Sequence, residues 1–581
     1  MRSRTLPTLG ALLFFLTGAY GQVSPAARRE PLAAHNEPQV RTLPITNPVF
    51  ATGMKCDGAT DDSAALQAAL NSAAYLGLGN ATVIMPPGTC IIDPGARVSI
   101  SAGLWLQGAG RLGTTLKRKN GSIGNPIPMI LINADGVTLS DFGFDGNKGG
   151  PGIVTSGDSV AADSPVSKLT IQRMRFANST SSDVASYVNG TVGFPTDWLI
   201  ADNDFDSQGN PFADCAVSFG CANLWIRQPL RLRIIGNRSD SSQNFAFFSS
   251  FPGGGQAEVG NNIITNLGGF GVALGGGVVG SAGANVHDNF IASNTTDNDN
   301  MIDLGFWNDF TVDHNTMHHN GIATGCIVDY PPANHGEVNS NICYASPTTL
   351  IDVGIGLGGS DISVVDNFVE GAGAAGISIA VSYAAPARGV RVIGNTAKNN
   401  GQNYAGHHAG IEFYLDRGSP NLAGLTDVIV RSNHCYDDQA IKTQGYGISF
   451  GEFGGNTTGF SNVLIEDNDF SGNLRGSVLN NATSFSGFVI RNNAGQNPGG
   501  VIPAPVFPSS GTALINTTGY DVTLYITSGT QPIAIAINGT TLAGVLVPGG
   551  GVGGPIRLPA NQNITLTYAA GGAPSWQWVA D

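Results

Sequence analysis

Charge is scarce in this chain. Only 12% of its 581 residues are Asp, Glu, Lys or Arg, and the balance is acidic, 28 basic against 42 acidic side chains, net −14. No basic tract and no aromatic-plus-basic module occurs, which argues against a nucleic-acid partner. The acidic excess reads first as a solubility device. Helical periodicity is nearly missing beyond one short segment. After residue 21 no apolar run reaches the length of a transmembrane helix. Cysteine is sparse, with seven at positions 56, 90, 215, 221, 326, 343 and 435. None forms a CxxC or a Cys/His cluster with zinc spacing, which argues against a metal–thiolate site. Export would permit disulfides, and Cys56–Cys90, Cys215–Cys221 and Cys326–Cys343 are the candidate pairs, with Cys435 left odd. Disorder is a poor fit, because 41% of residues are hydrophobic.

What is abundant is glycine, 81 residues, and a recurring asparagine. Two or three alternating apolar residues, a small or polar residue and then Asn return at Asn203, Asn237, Asn262, Asn289, Asn315, Asn341, Asn367, Asn395, Asn433, Asn468 and Asn493. A period in the twenties to thirties marks a solenoid. Each period holds two or three short alternating runs bounded by Gly, Asn and Asp, which read as strands. The expected fold class is therefore all-β, a parallel β-helix in which each coil pairs with the next. Asn at a bend suits the left-handed backbone region and can hydrogen-bond the same Asn one coil away. These asparagines are read as scaffold.

Residues 1–21 have the form of a secretory signal: Arg2 and Arg4, the apolar run Leu9 to Leu16, then Ala19-Tyr20-Gly21 before Gln22. The expectation is a secreted, extracellular or periplasmic protein. Residues 22–44 read as a flexible leader and 45–497 as the β-helix. A capping helix is expected over about 61–76, with Thr60, Asp61 and Asp62 as N-cap and first-turn acids and Leu66, Ala69, Leu70 and Ala73 as its apolar stripe. Residues 498–510 read as a Pro-rich linker. Residues 511–581 read as a small β-sandwich domain, with a hairpin at Asn538-Gly539 and with Trp576 and Trp578 packed in its core or stacked on sugar.

The N-terminal third carries a distinctive succession. Asp57-Gly58, Thr60-Asp61-Asp62, Ala65, Gln67 and Ala69-Leu70 are followed by Pro87-Gly88, by Leu106-Gln107-Gly108-Ala109-Gly110, and by Phe142 with Asp145-Gly146-Asn147. This resembles the opening segment of the pectate-lyase superfamily, as found in rhamnogalacturonase/epimerase-like pectate lyase domains and in mannuronan C-5 epimerase modules. The resemblance covers about residues 50–150 and implies a right-handed parallel β-helix. It implies no single reaction, because hydrolases, lyases, epimerases and tailspikes share it. The polygalacturonase motifs do not transfer: Gly406-His407-His408 precedes Asp437-Asp438, and Ile441-Lys442 lacks the Arg. The nearest phrase to an epimerase D-P-H-E, Pro331-Pro332-Ala333-Asn334-His335, does not match.

The search for chemistry therefore rests on the strand following each Asn turn. Aligned by apolar positions, its middle residue points outward: Ser218, Phe247, Ala273, Asp303, Asp352, Ser378, Glu412 and Ser449. Counting from the ladder puts Asp329 in the same column, 14 residues after Asn315 as Asp303 is 14 after Asn289; aligning Ile327 with Ile302 would instead point Val328 out. The ladder count makes Asp303, Asp329 and Asp352 neighbours on three rungs about 4.8 Å apart. Carboxylates so placed either raise a pKa, giving a general acid, or hold a cation; no cofactor is required, and calcium is compatible. Asp303, Asp329, Asp352 and Glu412 are the catalytic candidates. Trp307, Tyr330, Tyr383, Arg388, His407, His408, Tyr414, Asp416 and Arg417 are the candidates for holding substrate. His314, His318 and His319 are read as structural. Arg227, Arg231, Arg233 and Arg238 grip a polyanion or serve solubility.

The function expected is cleavage or modification of a glycan, pectin- or alginate-like and uronate-containing, along a groove, with hydrolysis favoured. A polysaccharide lyase or C-5 epimerase is the alternative, and a non-catalytic glycan-binding surface protein the rival of another class. The partner is a polysaccharide; oligomeric state stays open.

Overall fold

A computed structural model describes residues 48–580 except 76–80, 120–127, 148–152, 156–164, 180–181, 187–193, 207–221, 250–253, 276–280, 295–298, 306, 322–324, 330–333, 347–352, 382–386, 416–424, 452–456, 497–499, 519–520, 528–531, 543–553, 561 and 570–573. The expected signal, the expected leader and the Cys215–Cys221 pair lie outside these residues.

Alternating runs of three to seven residues have one apolar face each and cannot bury it alone. Here they do so by coiling. Three parallel sheets of 16, 14 and 14 strands run the length of the solenoid, and neighbours in each sheet are one coil apart in sequence. The first sheet takes the strands that lead into the asparagines, the second those that follow immediately, and the third those that complete the coil. Aliphatic side chains stack inside: Val259, Val286, Val312, Val338, Val364, Val392 and Val430 are in register on successive first-sheet strands, all at 0% exposure. Each contributes roughly 1.5–3 kcal/mol of burial relative to exposure.

The asparagine ladder runs unbroken from Asn203 to Asn493, and none of its members is more than 2% exposed. Each backbone N–H and each Nδ2 donates to the Oδ1 of the next Asn; at Asn315 these bonds to Asn341 are 3.0 and 2.9 Å. Nδ2 also donates to a carbonyl of the preceding coil, Val286 O at 2.8 Å for Asn315. One expectation is corrected. The left-handed residue is not the ladder Asn but the one before it: Asp202, Gly236, Asn261, Asp288, His314, Ser340, Asp366, Gly394, Ser432, Asp467 and Asn492 all have φ between 53° and 70°. That residue makes the bend, which frees the Asn side chain to turn inward and meet its neighbours.

At the N-terminal side a helix spans Ser63–Tyr75, with Leu66, Ala69, Leu70 and Ala73 buried. It begins two residues later than expected. Asp61 Oδ1 accepts from Ser63 N–H at 3.0 Å, whereas Asp62 turns its carboxylate back to the N–H groups of Lys55 and Cys56, and Thr60 bonds Asp57. Disulfides join Cys56 to Cys90 and Cys326 to Cys343, and Cys435 is a buried free thiol whose pKa burial pushes up.

Beyond the ladder the pairing turns antiparallel. Strands Gly500–Ile502, Ser575–Ala580, Val522–Thr527 and Ile556–Leu558 form one sheet; Ala513–Ile515, Asn563–Tyr568, Ile533–Ile537 and Thr540–Thr541 form another. Gly500–Ile502 falls inside the expected linker, which is thus partly strand, because Val501 pairs with Val579. Asn538 and Gly539 both have positive φ, as a two-residue hairpin turn requires. Trp578 is 1% exposed in the core with Leu524, Ile526 and Leu566. Trp576 donates to Pro505 O at 3.0 Å and packs on Phe507. Trp578 is a core packing residue, and Trp576 is half-buried against Phe507.

Candidate functional site

Strand pairing in the third sheet defines its outward column without counting. In order it reads Ala185, Trp225, Phe247, Ala273, Asp303, Val328, Gly356, Ser378, Glu412, Ser449 and Leu479. Asp303 and Glu412 stand in it as expected. Asp329 does not: Ile302 pairs with Ile327 and Asp303 with Val328. Asp329 falls in line with Leu304 and Leu357, both fully buried core residues. It is itself 6% exposed, and its Oδ1 accepts from Gly358 N–H at 2.6 Å. The ladder count failed because the bend between the second and third sheets varies in length, so Val328 comes 13 residues after Asn315 and Gly356 15 after Asn341. Gly356 occupies the place expected for Asp352, because the run that pairs with Ile377-Ser378-Ile379 is Ile355-Gly356-Leu357 and not Ile351-Asp352-Val353, and the triple carboxylate column does not form. Asp352 itself lies outside the described residues, as do Tyr330, Tyr383, Asp416 and Arg417. Tyr414 lies on the strand Ala409–Leu415, where it pairs with Ala380.

Two further candidates leave the site. Trp307 is fully buried on the first-sheet strand Trp307–Asp313. The chain turns after Leu304, with Trp307 N–H bonded to Leu304 O at 3.2 Å, so a spacing of four crosses to another sheet. Arg388 is exposed on the first-sheet strand Ala387–Ile393, away from the column. The arginine group also disperses. Arg231 pairs with Asp197 and Arg233 with Glu258 on the first sheet, Arg238 lies on the second, and Arg227 sits 5.2 Å from the Trp225 ring.

Asp303 instead has a partner that the sequence did not single out. Asp299 lies on the turn leading into the strand Ile302–Asp303. Asp299 Oδ1 accepts from Asn300 N–H at 3.0 Å, and Asn300 Nδ2 donates to Asp303 Oδ2 at 3.4 Å. Asp303 Oδ1 accepts from Gly305 N–H at 2.9 Å. Burial raises the Asp303 carboxyl to about 6 despite these donors. Burial, with the Asp303 charge adding to it, raises Asp299 to about 7. Both carboxyls are therefore held above the ordinary carboxylate range, Asp299 further than Asp303.

His319 anchors this turn from the second-sheet strand Thr316–His319. Gly321 N–H donates to its Nδ1 at 3.2 Å, which assigns the proton to Nε2, and Nε2 donates to Asp299 O at 3.1 Å. Burial lowers its pKa to about 4, so the ring is neutral. It acts as a structural post, as expected. His314 bonds Asp313 at 2.9 Å, and His318 packs between the rings of Phe290 and Tyr344.

A stability test follows from Asp299. A carboxyl whose folded pKa lies above its unfolded value binds its proton more tightly when folded. Stability is thus fullest below the unfolded pKa and falls as pH rises through the folded value. Asp299→Asn should match wild type near pH 4 and exceed it near pH 8 by about 2 kcal/mol, after allowance for the solvent that Asp299 still sees. Chemical denaturation at the two pH values checks this; equal differences at both would mean that Asp299 titrates normally.

Four strands along the column stands a second locus. Glu412 on the strand Ala409–Leu415 is 5% exposed, and His408 Nδ1 lies 3.2 Å from its Oε2. Its neighbours in the column are Ser378 and Ser449. His407 and His408 end a turn that also carries Tyr404, 64% exposed, with ring centroids 6.2 and 6.3 Å from the two histidines. Among the described residues one group has metal-ligand proximity, Cys56, Asp62 and Cys90, but its two sulfurs are bonded to each other.

Comparison with known proteins agrees with the fold. The profile of the family Rhamnogalacturonase A/epimerase, pectate lyase-like matches residues 48–186. A mannuronan C5-epimerase of Azotobacter vinelandii is 29% identical over 172 residues, 25% of this chain and 31% of that protein, so the match spans about a third of the relative. Among solved structures, the A-module of the same organism's epimerase is 17% identical with a TM-score of 0.31, over 76% of this chain and 98% of that one. The catalytic unit of an α-1,3-glucanase from Streptomyces thermodiastaticus is 15% identical with a TM-score of 0.38, over 79% and 71%. The fold of this chain is a pectate-lyase-like parallel β-helix.

Proposed function

We propose that this protein is an exported polysaccharide-active enzyme, with Asp299 and Asp303 as its acid–base pair and a glycan lying along the outer face of the third sheet. The observation that carries the reading is the pair itself: two carboxyls four residues apart, Asp299 on the turn and Asp303 in the outward column of a β-helix, raised to about 7 and about 6. Near neutrality one is protonated while the other is ionised, which is the division of labour that glycosidic hydrolysis needs. Asp299, the weaker acid, donates its proton to the glycosidic oxygen as the C–O bond breaks. Asp303, ionised first, takes a proton from the water that adds to the anomeric carbon. Hydrolysis is favoured on this ground. The similarity to an epimerase supports a second reading, proton abstraction from a uronate, with lyase or C-5 epimerase outcome.

The test is a panel of neutral and uronate-containing polysaccharides, scored for reducing ends, for the ultraviolet absorbance of an unsaturated uronate, and by NMR for inverted C-5 centres. New reducing ends alone mean hydrolysis, both signals together mean elimination, and inversion without either means epimerisation. Binding with none of the three, unchanged in Asp299→Asn and Asp303→Asn, would leave a glycan-binding protein and end the enzyme reading.

A further inference from the structure

We infer that the His408–Glu412 locus, with Tyr404, is a distal glycan subsite, and that this makes the protein selective for chain length. The inference rests on the proposed groove. Strand pairing leads from Asp303 through Val328, Gly356 and Ser378 to Glu412, four steps in one column. The two loci are thus about 19 Å apart along the coil axis.

The chemistry of the locus is that of a sugar seat. A pyranose has an apolar face and a rim of hydroxyls. Tyr404 offers an exposed ring on the turn before the strand, suited to the face. Glu412, braced by His408 at Nδ1, offers a carboxylate suited to a hydroxyl. The narrow exposure of Glu412 suits a single hydroxyl, while the ring of the sugar rests higher, against Tyr404.

An extended glycan advances by roughly one strand spacing per residue. A chain that reaches both loci therefore spans about five residues, and shorter chains touch only one. Binding energy from the distal seat then serves the reaction at Asp299 and Asp303 only when the chain is long enough to connect them.

The experiment takes the polysaccharide on which the wild type acts and its size-fractionated oligosaccharides from dimer to decamer. Wild-type kcat/KM should climb to a plateau near the hexamer. In Tyr404→Ala the ratio of hexamer to trimer kcat/KM should fall about tenfold, the size expected for one lost stacking contact. Glu412→Gln should do the same; should it fail to fold, the exposed Tyr404 variant still decides. A flat length profile in wild type, or a ratio unchanged by Tyr404→Ala, overturns the subsite and leaves the catalytic reading standing. If no polysaccharide is turned over, affinity electrophoresis on the same panel decides. Retardation lost in Tyr404→Ala keeps the seat while catalysis falls, and retardation indifferent to Tyr404 removes the seat.

Discussion

Exchange of Asp303 for asparagine should lower kcat/KM about a thousandfold, because it removes one member of a proton-transfer pair while keeping the shape of the side chain. The carboxamide oxygen could still accept from Gly305 N–H, which now meets Asp303 Oδ1 at 2.9 Å, so the fold should stand and the melting temperature should not fall. The pH profile is the sharper readout. With carboxyls at about 6 and about 7, the wild type has its reactive form, one proton on the pair, only in a narrow window between those values. Its kcat/KM should be bell-shaped with its maximum there. In Asp303→Asn the limb that reports the base should vanish, since nothing at that position titrates. A variant with the wild-type bell and a rate within threefold would place the chemistry elsewhere on the column.

A second large effect is expected where no chemistry occurs. Asn315→Leu removes an acceptor that Asn289 uses twice, at 3.0 and 2.8 Å, and donors to Val286 O and to Asn341 Oδ1. Leucine fills the space yet leaves two buried donors on Asn289 unmatched. Each such group costs about 1–3 kcal/mol, so the variant should lose about 3–5 kcal/mol in denaturant unfolding. Asn315→Asp would still accept but could not donate, and would carry a charge into a position at 0% exposure. A loss under about 1 kcal/mol for the leucine variant would show that the ladder bonds are readily replaced by water.

How much of this was legible in the sequence follows from what repeats and what does not. The asparagines recur because every coil presents the same bend and each Asn can satisfy the next, so they announced the solenoid and its first two sheets. Ile377-Ser378-Ile379 and Ile411-Glu412-Phe413 were placed correctly for a related reason: core-facing residues flank the outward one on both sides. Asp329 was misplaced because in Cys326-Ile327-Val328-Asp329 the apolar run continues through the outward position, and the Asn count crosses a bend of variable length. Asp299 was missed because it lies on that bend, where no periodicity operates. The one available signal was a second carboxylate four residues before Asp303, separated from it by Asn300-Met301-Ile302. Trp307 was misread because strand alternation was carried past a corner.

The ladder has a consequence for how such a groove changes size. Every Asn makes the same bonds to its neighbours, so between Asn289 and Asn433 the layers are interchangeable at the ladder position. Loss or duplication of one layer, such as the 28 residues from Asn367 to Asn395, joins two asparagines that fit each other as well as their former partners did. The two ends of the proposed groove would then stand one strand spacing closer or farther apart, with the ladder's own donors and acceptors still matched. Length is therefore a discrete, heritable variable of this architecture, set by counting layers rather than by reshaping a pocket.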